Sequence, residues 1–133
     1  MARGLEKHQA RQNALSLLGK DLTRRSGACC ELCETSGVAL AAYEIPPVPV
    51  DPDYENCLFL CEACRGQLAK PAKMSPGHWR GLVSVIWSEV PAVQVMAARI
   101  LERLSRDHEW AREILDEAYF DESIEERVEA ERL

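Results

Sequence analysis

Apolar residues recur along most of this chain with a helical period. Ala14, Leu15, Leu18 and Leu22 lie three or four apart in a proline-free stretch. That spacing predicts a helix over residues 3–22 with one apolar stripe. Gly27 follows Arg24-Arg25-Ser26 and is placed to end it. The pattern then changes. Residues 38–45 and 57–60 read as two short strands, joined by an excursion containing Pro46, Pro47, Pro49 and Pro52. Past Cys61, the residues Glu62, Ala63, Gln67, Leu68 and Ala69 favour a short helix that Pro71 stops.

Helical spacing resumes after residue 74. Ser75 is placed as an N-cap with Pro76 at the first helical position. Trp79, Leu82, Val83, Ile86, Trp87 and Val90 follow three or four apart. Pro91 opens a further helix, with Val93, Met96, Ala97, Ile100, Leu101 and Leu104 on one face. Trp110, Ile114, Leu115 and Ala118 suggest another, and Asp121 caps a last one around Ile124 and Val128. The expected class is α+β and mostly helical, as a single domain over residues 1–133. It divides into a basic N-terminal helix (1–26), a small module with a β-hairpin (27–73) and a helical segment ending in an acidic helix (74–133).

Composition adds a compartment. With 133 residues, 47% of them apolar, the chain can bury the core of one domain. No apolar run approaches the ~20 residues of a membrane span, so no membrane partner is expected. The first eleven residues are polar and no apolar region follows them, which predicts a cytoplasmic protein. Thiols there stay reduced, so six cysteines point to metal rather than to disulfides.

Four of the six have metal-ligand spacing. Cys30-Glu31-Leu32-Cys33 and Cys61-Glu62-Ala63-Cys64 are two CxxC pairs separated by 27 residues. Each pair lets two thiolates converge on one ion, and together they complete the four-thiolate shell of structural zinc. The separation exceeds the ~15–20 residues of the simplest pattern, and the proline-rich excursion absorbs the excess. Buried, unligated thiols are the alternative. A redox CxxC is a third reading, but the motif occurs twice and no βαβ context surrounds it. Cys29 and Cys57 are surplus: Cys29 would make the first spacing one residue too long, and Cys57 reads as a small apolar group at a strand start.

A CxxC, a hairpin, then a second CxxC at a helix start is the order of a treble-clef or zinc-ribbon module. It resembles the HNH endonuclease scaffold. Here Tyr43-Glu44 stands where that module carries paired histidines before Ile45-Pro46. Asn56 falls near its asparagine, and Arg65 replaces its final histidine. The resemblance implies the scaffold without the imidazoles, leaving Glu44 and Asn56 as the residues able to hold magnesium in a hydrolase. A closer resemblance runs over residues 24–122. The two CxxC pairs, Tyr43-Glu44-Ile45-Pro46-Pro47, His78-Trp79-Arg80 and Trp87-Ser88-Glu89-Val90-Pro91-Ala92-Val93-Gln94-Val95 are similar to the PhnA family. This implies zinc at Cys30, Cys33, Cys61 and Cys64. Longer members of that family continue into a small β domain that has no counterpart here.

Charge is segregated. Residues 1–28 hold six Lys/Arg against two acids, whereas residues 100–133 hold five Arg against twelve acids. The overall charge of −6 argues against nucleic acid, but a basic arm on an acidic body does not. Arg3, Lys7 and Arg11 line one helical face, and with Arg24 and Arg25 they are the candidate contacts to phosphate. A solvated face, or pairing with the acidic tail, is the alternative. His78 is placed either near the metal as ligand or base, or simply as part of a helix start. Trp79 and Trp87 are expected to pack over the zinc module. The reading is a non-enzymatic zinc-binding adaptor for a protein or nucleic-acid partner. The alternative is a hydrolase, either a degenerate HNH-type nuclease or a phosphonate-related enzyme. A zinc closed by four thiolates has no open position for water, which disfavours the second.

Overall fold

A computed structural model describes residues 2–133, with side chains from residue 3 onward. Its centre is an antiparallel hairpin of β1 (Leu40–Glu44) and β2 (Cys57–Cys61), in which Leu40 opposes Cys61 and Glu44 opposes Cys57. Alternation along β2 sends Leu58 and Leu60 into the main core, while Cys57 and Phe59 face the N-terminal helices. Both faces of this strand are therefore covered. The first strand is shorter than expected: Val38 is exposed, and the buried Ile45 lies just past the strand.

The N-terminal helix is two helices, α1 (Ala2–Leu17) and α2 (Gly19–Ser26), broken at Leu18. Gly19 is a poor residue for a helix interior, and the break lets Leu15 and Leu22 both pack with Cys57. Residues 3–10 of α1 are exposed all round. Gly27 ends α2 as expected, at φ 65°, and its N–H bonds back to Arg24. After the hairpin comes α3 (Glu62–Ala69).

The stretch after Ser75 departs most from expectation. In place of one long helix there is a 3₁₀ turn at Pro76–Trp79 and a single α-turn, α4 (Leu82–Val85). Ser75 makes no side-chain cap, and Gly77 and Gly81 interrupt the helical run. The inward set is Trp79, Leu82, Val85 and Ile86, whereas Val83 and Trp87 are 54% and 56% exposed. Trp79 alone of the two expected tryptophans packs in the core.

Helix α5 (Pro91–Leu104) packs against β2, α4, α6 (Glu109–Glu117) and α7 (Glu122–Ala130). It is buried nearly all round, not on one face as the spacing suggested. Among the described residues no helix is long and apolar enough to cross a membrane. Asp121 caps α7 by accepting the Ile124 N–H at 3.0 Å. The Ser123 hydroxyl and that N–H hold its carboxyl below the usual range. The cap's contribution is therefore full above the ordinary value and is lost as pH falls through the lowered one.

Among the described residues, one charged residue lies within this helical core. Arg99 is 2% exposed, and its guanidinium donates to the carbonyls of Pro46 (2.5 Å) and Arg127 (2.6 Å). It therefore ties the proline-rich excursion to α7. Burial pulls its pKa down, and its Nε has no partner among the described residues. Arg99→Met should strand two half-buried carbonyls and cost about 1–3 kcal/mol, read by urea unfolding. A change under half a kcal/mol would contradict this account of the tie.

Candidate metal centre

Each cysteine pair sits where the chain reverses direction. In the first, the Cys30 N–H bonds to the Thr35 carbonyl (3.0 Å) and the Glu34 N–H to the Cys30 carbonyl (2.8 Å). Glu34 adopts φ 63°, the left-handed conformation that such a tight reversal requires. In the second, Cys61 ends β2 and caps α3, its sulfur accepting the Cys64 N–H at 3.5 Å. The loop is pinned to the strand by Glu31. Its N–H bonds to the Phe59 carbonyl (2.9 Å), and its carboxylate accepts the Phe59 N–H (2.8 Å). The same carboxylate takes a two-pronged ion pair from Arg25 (2.7 and 2.9 Å).

These constraints bring the four sulfurs of Cys30, Cys33, Cys61 and Cys64 within 4.8 Å of one another. Cys30–Cys64 and Cys33–Cys61 are each 3.6 Å apart. That is far beyond the ~2.05 Å of a disulfide. It is close to the ~3.8 Å between sulfurs that share a tetrahedral ion at bonds of ~2.3 Å. The donor set thus fits a divalent metal, and among the described residues no other His, Cys, Asp or Glu group of three or more is so arranged.

Their electrostatics point the same way. The Cys30 thiol is pulled down, first by its hydrogen bond with Cys64 and then by the N–H groups of Cys33, Cys61 and Leu32, against burial. Cys64 goes up, through the same bond first, then through burial and the opposing charge of the other sulfurs. Cys61 goes up through burial. Several thiolates in one buried cluster repel one another, and a cation among them removes the cost.

The surplus cysteines stand apart, as expected. Cys57 is fully buried beside Leu15 and Leu22, and burial first, then Glu44 and Asp53, push its thiol up to about 11. Cys29 is half-buried, its sulfur 3.4 Å from the Gly27 carbonyl. Trp87 does not pack over the module as expected. It lines an open groove of about 400 Å³ with Cys29, Glu34, Ser84 and Ser88.

The candidate phosphate contacts divide. Arg3 and Lys7 are exposed on α1, and Arg24 lies 4.0 Å from Asp21 on the surface. Arg11 and Arg25 are committed internally. Arg11 holds both oxygens of Glu44 (2.6 and 2.7 Å) and the carbonyls of Pro49 and Val50. Arg25 adds the Cys57 carbonyl to its Glu31 pair and lies 4.7 Å from the Tyr54 ring centre. The possible magnesium ligands are engaged too. Glu44 is held by Arg11, while Asn56 donates to the Ile45 carbonyl (2.8 Å) and accepts from Arg127 (3.3 Å). Arg65 donates to the Leu60 carbonyl.

Sequence reasoning missed the part played by Glu31 and Gln67. Gln67 Oε1 accepts both the Ser75 N–H (2.9 Å) and the Trp79 indole N–H (2.8 Å), fixing the 3₁₀ turn against α3. His78, on that turn, brings Nε2 to 3.3 Å from Cys64 Sγ. Spacing carries no signal for such long-range pairs, although Glu31 lies inside a CxxC. No protein-family model, curated protein or solved structure matches the chain.

Chelation or Cys33→Ser should loosen the core that Trp79 shares with Cys30 and Cys64. The expected signs are a red-shifted tryptophan emission and a lower melting temperature, with Trp87 already reporting water. Unchanged emission and melting after metal removal would contradict a metal-held core. Arg25→Met leaves the Glu31 carboxylate, whose side chain is 4% exposed, without its cation. It should cost about 3 kcal/mol in chemical unfolding, with no nucleic acid present. A neutral outcome would return Arg25 to the surface contacts.

Proposed function

We propose that this chain is a non-catalytic, zinc-stabilised interaction module of the PhnA-like kind. In this reading the cysteine pairs and hairpin form a treble clef, and the surrounding helices bind a macromolecular partner in the cytoplasm. The observation that carries it is the convergence of four sulfurs alone. Four thiolates satisfy a tetrahedral ion and leave no position for an activated water. Zinc rather than an iron centre follows the general use of closed four-thiolate sites as folding staples. Their binding energy, roughly 10–16 kcal/mol in small peptides, exceeds the stability of most domains.

The hydrolase alternative needs Glu44 and Asn56 free for a second metal, and both are spent on Arg11, Ile45 and Arg127. Among partners, protein is favoured over nucleic acid, because two of the five candidate cations are consumed inside the fold. The half-exposed Trp87 beside its groove is the surface feature that suits a protein contact.

Two measurements test this. Elemental analysis of the purified chain should give one zinc per molecule, with no magnesium-dependent cleavage of DNA, RNA or phosphonates. Turnover abolished by Glu44→Gln would overturn the non-catalytic reading. Anisotropy with labelled DNA and RNA should show only weak binding that vanishes as salt is raised from 50 to 200 mM, on the order of the loss expected of a few phosphate contacts. Tight binding that survives at 200 mM would favour nucleic acid.

A further inference from the structure

Among the described residues, His78 is the one histidine that reaches the sulfur cluster. Its Nε2 lies 3.3 Å from Cys64 Sγ, within hydrogen-bonding distance for sulfur, and its ring packs edge-on to the buried Trp79 at 4.7 Å. It is not one of the mutually close donors, which are the four sulfurs. Its placement is built rather than incidental. Gln67, one turn of α3 beyond Cys64, accepts from the backbone three residues before His78 and from the indole one residue after it. The helix that carries Cys64 therefore also fixes the imidazole that meets it.

We infer that His78 is a positioning residue for the metal centre, donating its Nε2–H to the Cys64 sulfur and so holding that thiolate on the metal. This rests on the four-thiolate reading above. A metal-bound thiolate has lone pairs and no proton, so it only accepts. The imidazole must then present N–H at Nε2, which fixes its tautomer. Such a bond draws electron density from the sulfur. It makes Cys64 a poorer nucleophile and slows loss of the ion, as outer-shell partners do at metal sites generally. Cys33, by contrast, is half-buried with the Thr35 hydroxyl 3.2 Å away, so the two ends of the cluster are protected unequally.

The test uses the full-length zinc-loaded protein and compares His78→Ala, His78→Phe and His78→Gln, the last retaining a side-chain N–H. Zinc transfer to a chromogenic chelator should speed up about tenfold in the first two and recover in His78→Gln. Iodoacetamide labelling, mapped by peptide mass spectrometry, should rise selectively at Cys64 over Cys30, Cys33 and Cys61. In the cadmium-113 form, the His78 side-chain N–H should couple to the metal across the hydrogen bond. Unchanged transfer and labelling in a variant that still holds one zinc would overturn this inference and leave the metal centre standing. So would a uniform rise at all four cysteines that His78→Gln does not rescue, which marks a merely structural role. A cobalt-form spectrum with nitrogen replacing one sulfur would overturn it as well, making His78 a ligand. A wild-type chain that holds no metal at all would remove both readings together.

Discussion

The meeting of four cysteine sulfurs is the constraint on which the rest of this structure depends. Two come from a tight loop and two from a strand-to-helix junction, and the hairpin, with Glu31 bonded to Phe59, brings these segments together. Two strands alone are marginal in water, so the hairpin needs cover on both faces. Helices α1 and α2 cover one through Leu15 and Leu22, and α5 covers the other. The buried knot of thiols has the electrostatics of a site that wants a cation. The same knot anchors Trp79 through α3 and Gln67, so the cluster and the helical core are mechanically one object.

Arginine is the second theme. Arg11, Arg25 and Arg99 each bind main-chain carbonyls in a segment distant in sequence, and the first two also hold a carboxylate. Each thereby fastens irregular backbone that no ladder of strand or helix bonds could satisfy. The planar guanidinium, with several donors in one fork, suits this work better than lysine would. Its consequence for function is direct. Positive charge that reads as a binding stripe in the sequence is partly internal mortar, and of its five cations Arg3, Lys7 and Arg24 stay exposed.

Legibility from sequence followed the range of the interaction. The two CxxC pairs, Gly27 at the helix end, Asp121 as a cap and the helix beginning at Pro91 are each marked by residues close in sequence, and all stand where the pattern put them. Failure came where tertiary contacts compete with local preference. The N-terminal stripe is divided at Leu18 so that both halves reach the hairpin. The 3₁₀ turn at Pro76–Trp79 replaces a helix because Gln67 and the cluster claim its residues. Trp87 shares a helical period with Trp79, yet the helical run is interrupted at Gly81 between them and Trp87 faces outward. No periodicity could have placed His78 beside Cys64, fourteen residues away across a proline-rich turn.

The most direct test of the whole account is zinc K-edge absorption on the protein as purified. The account predicts one zinc whose first shell is four sulfurs at about 2.3 Å. A shell containing oxygen or nitrogen near 2.0 Å, or a chain that does not retain zinc, would contradict it.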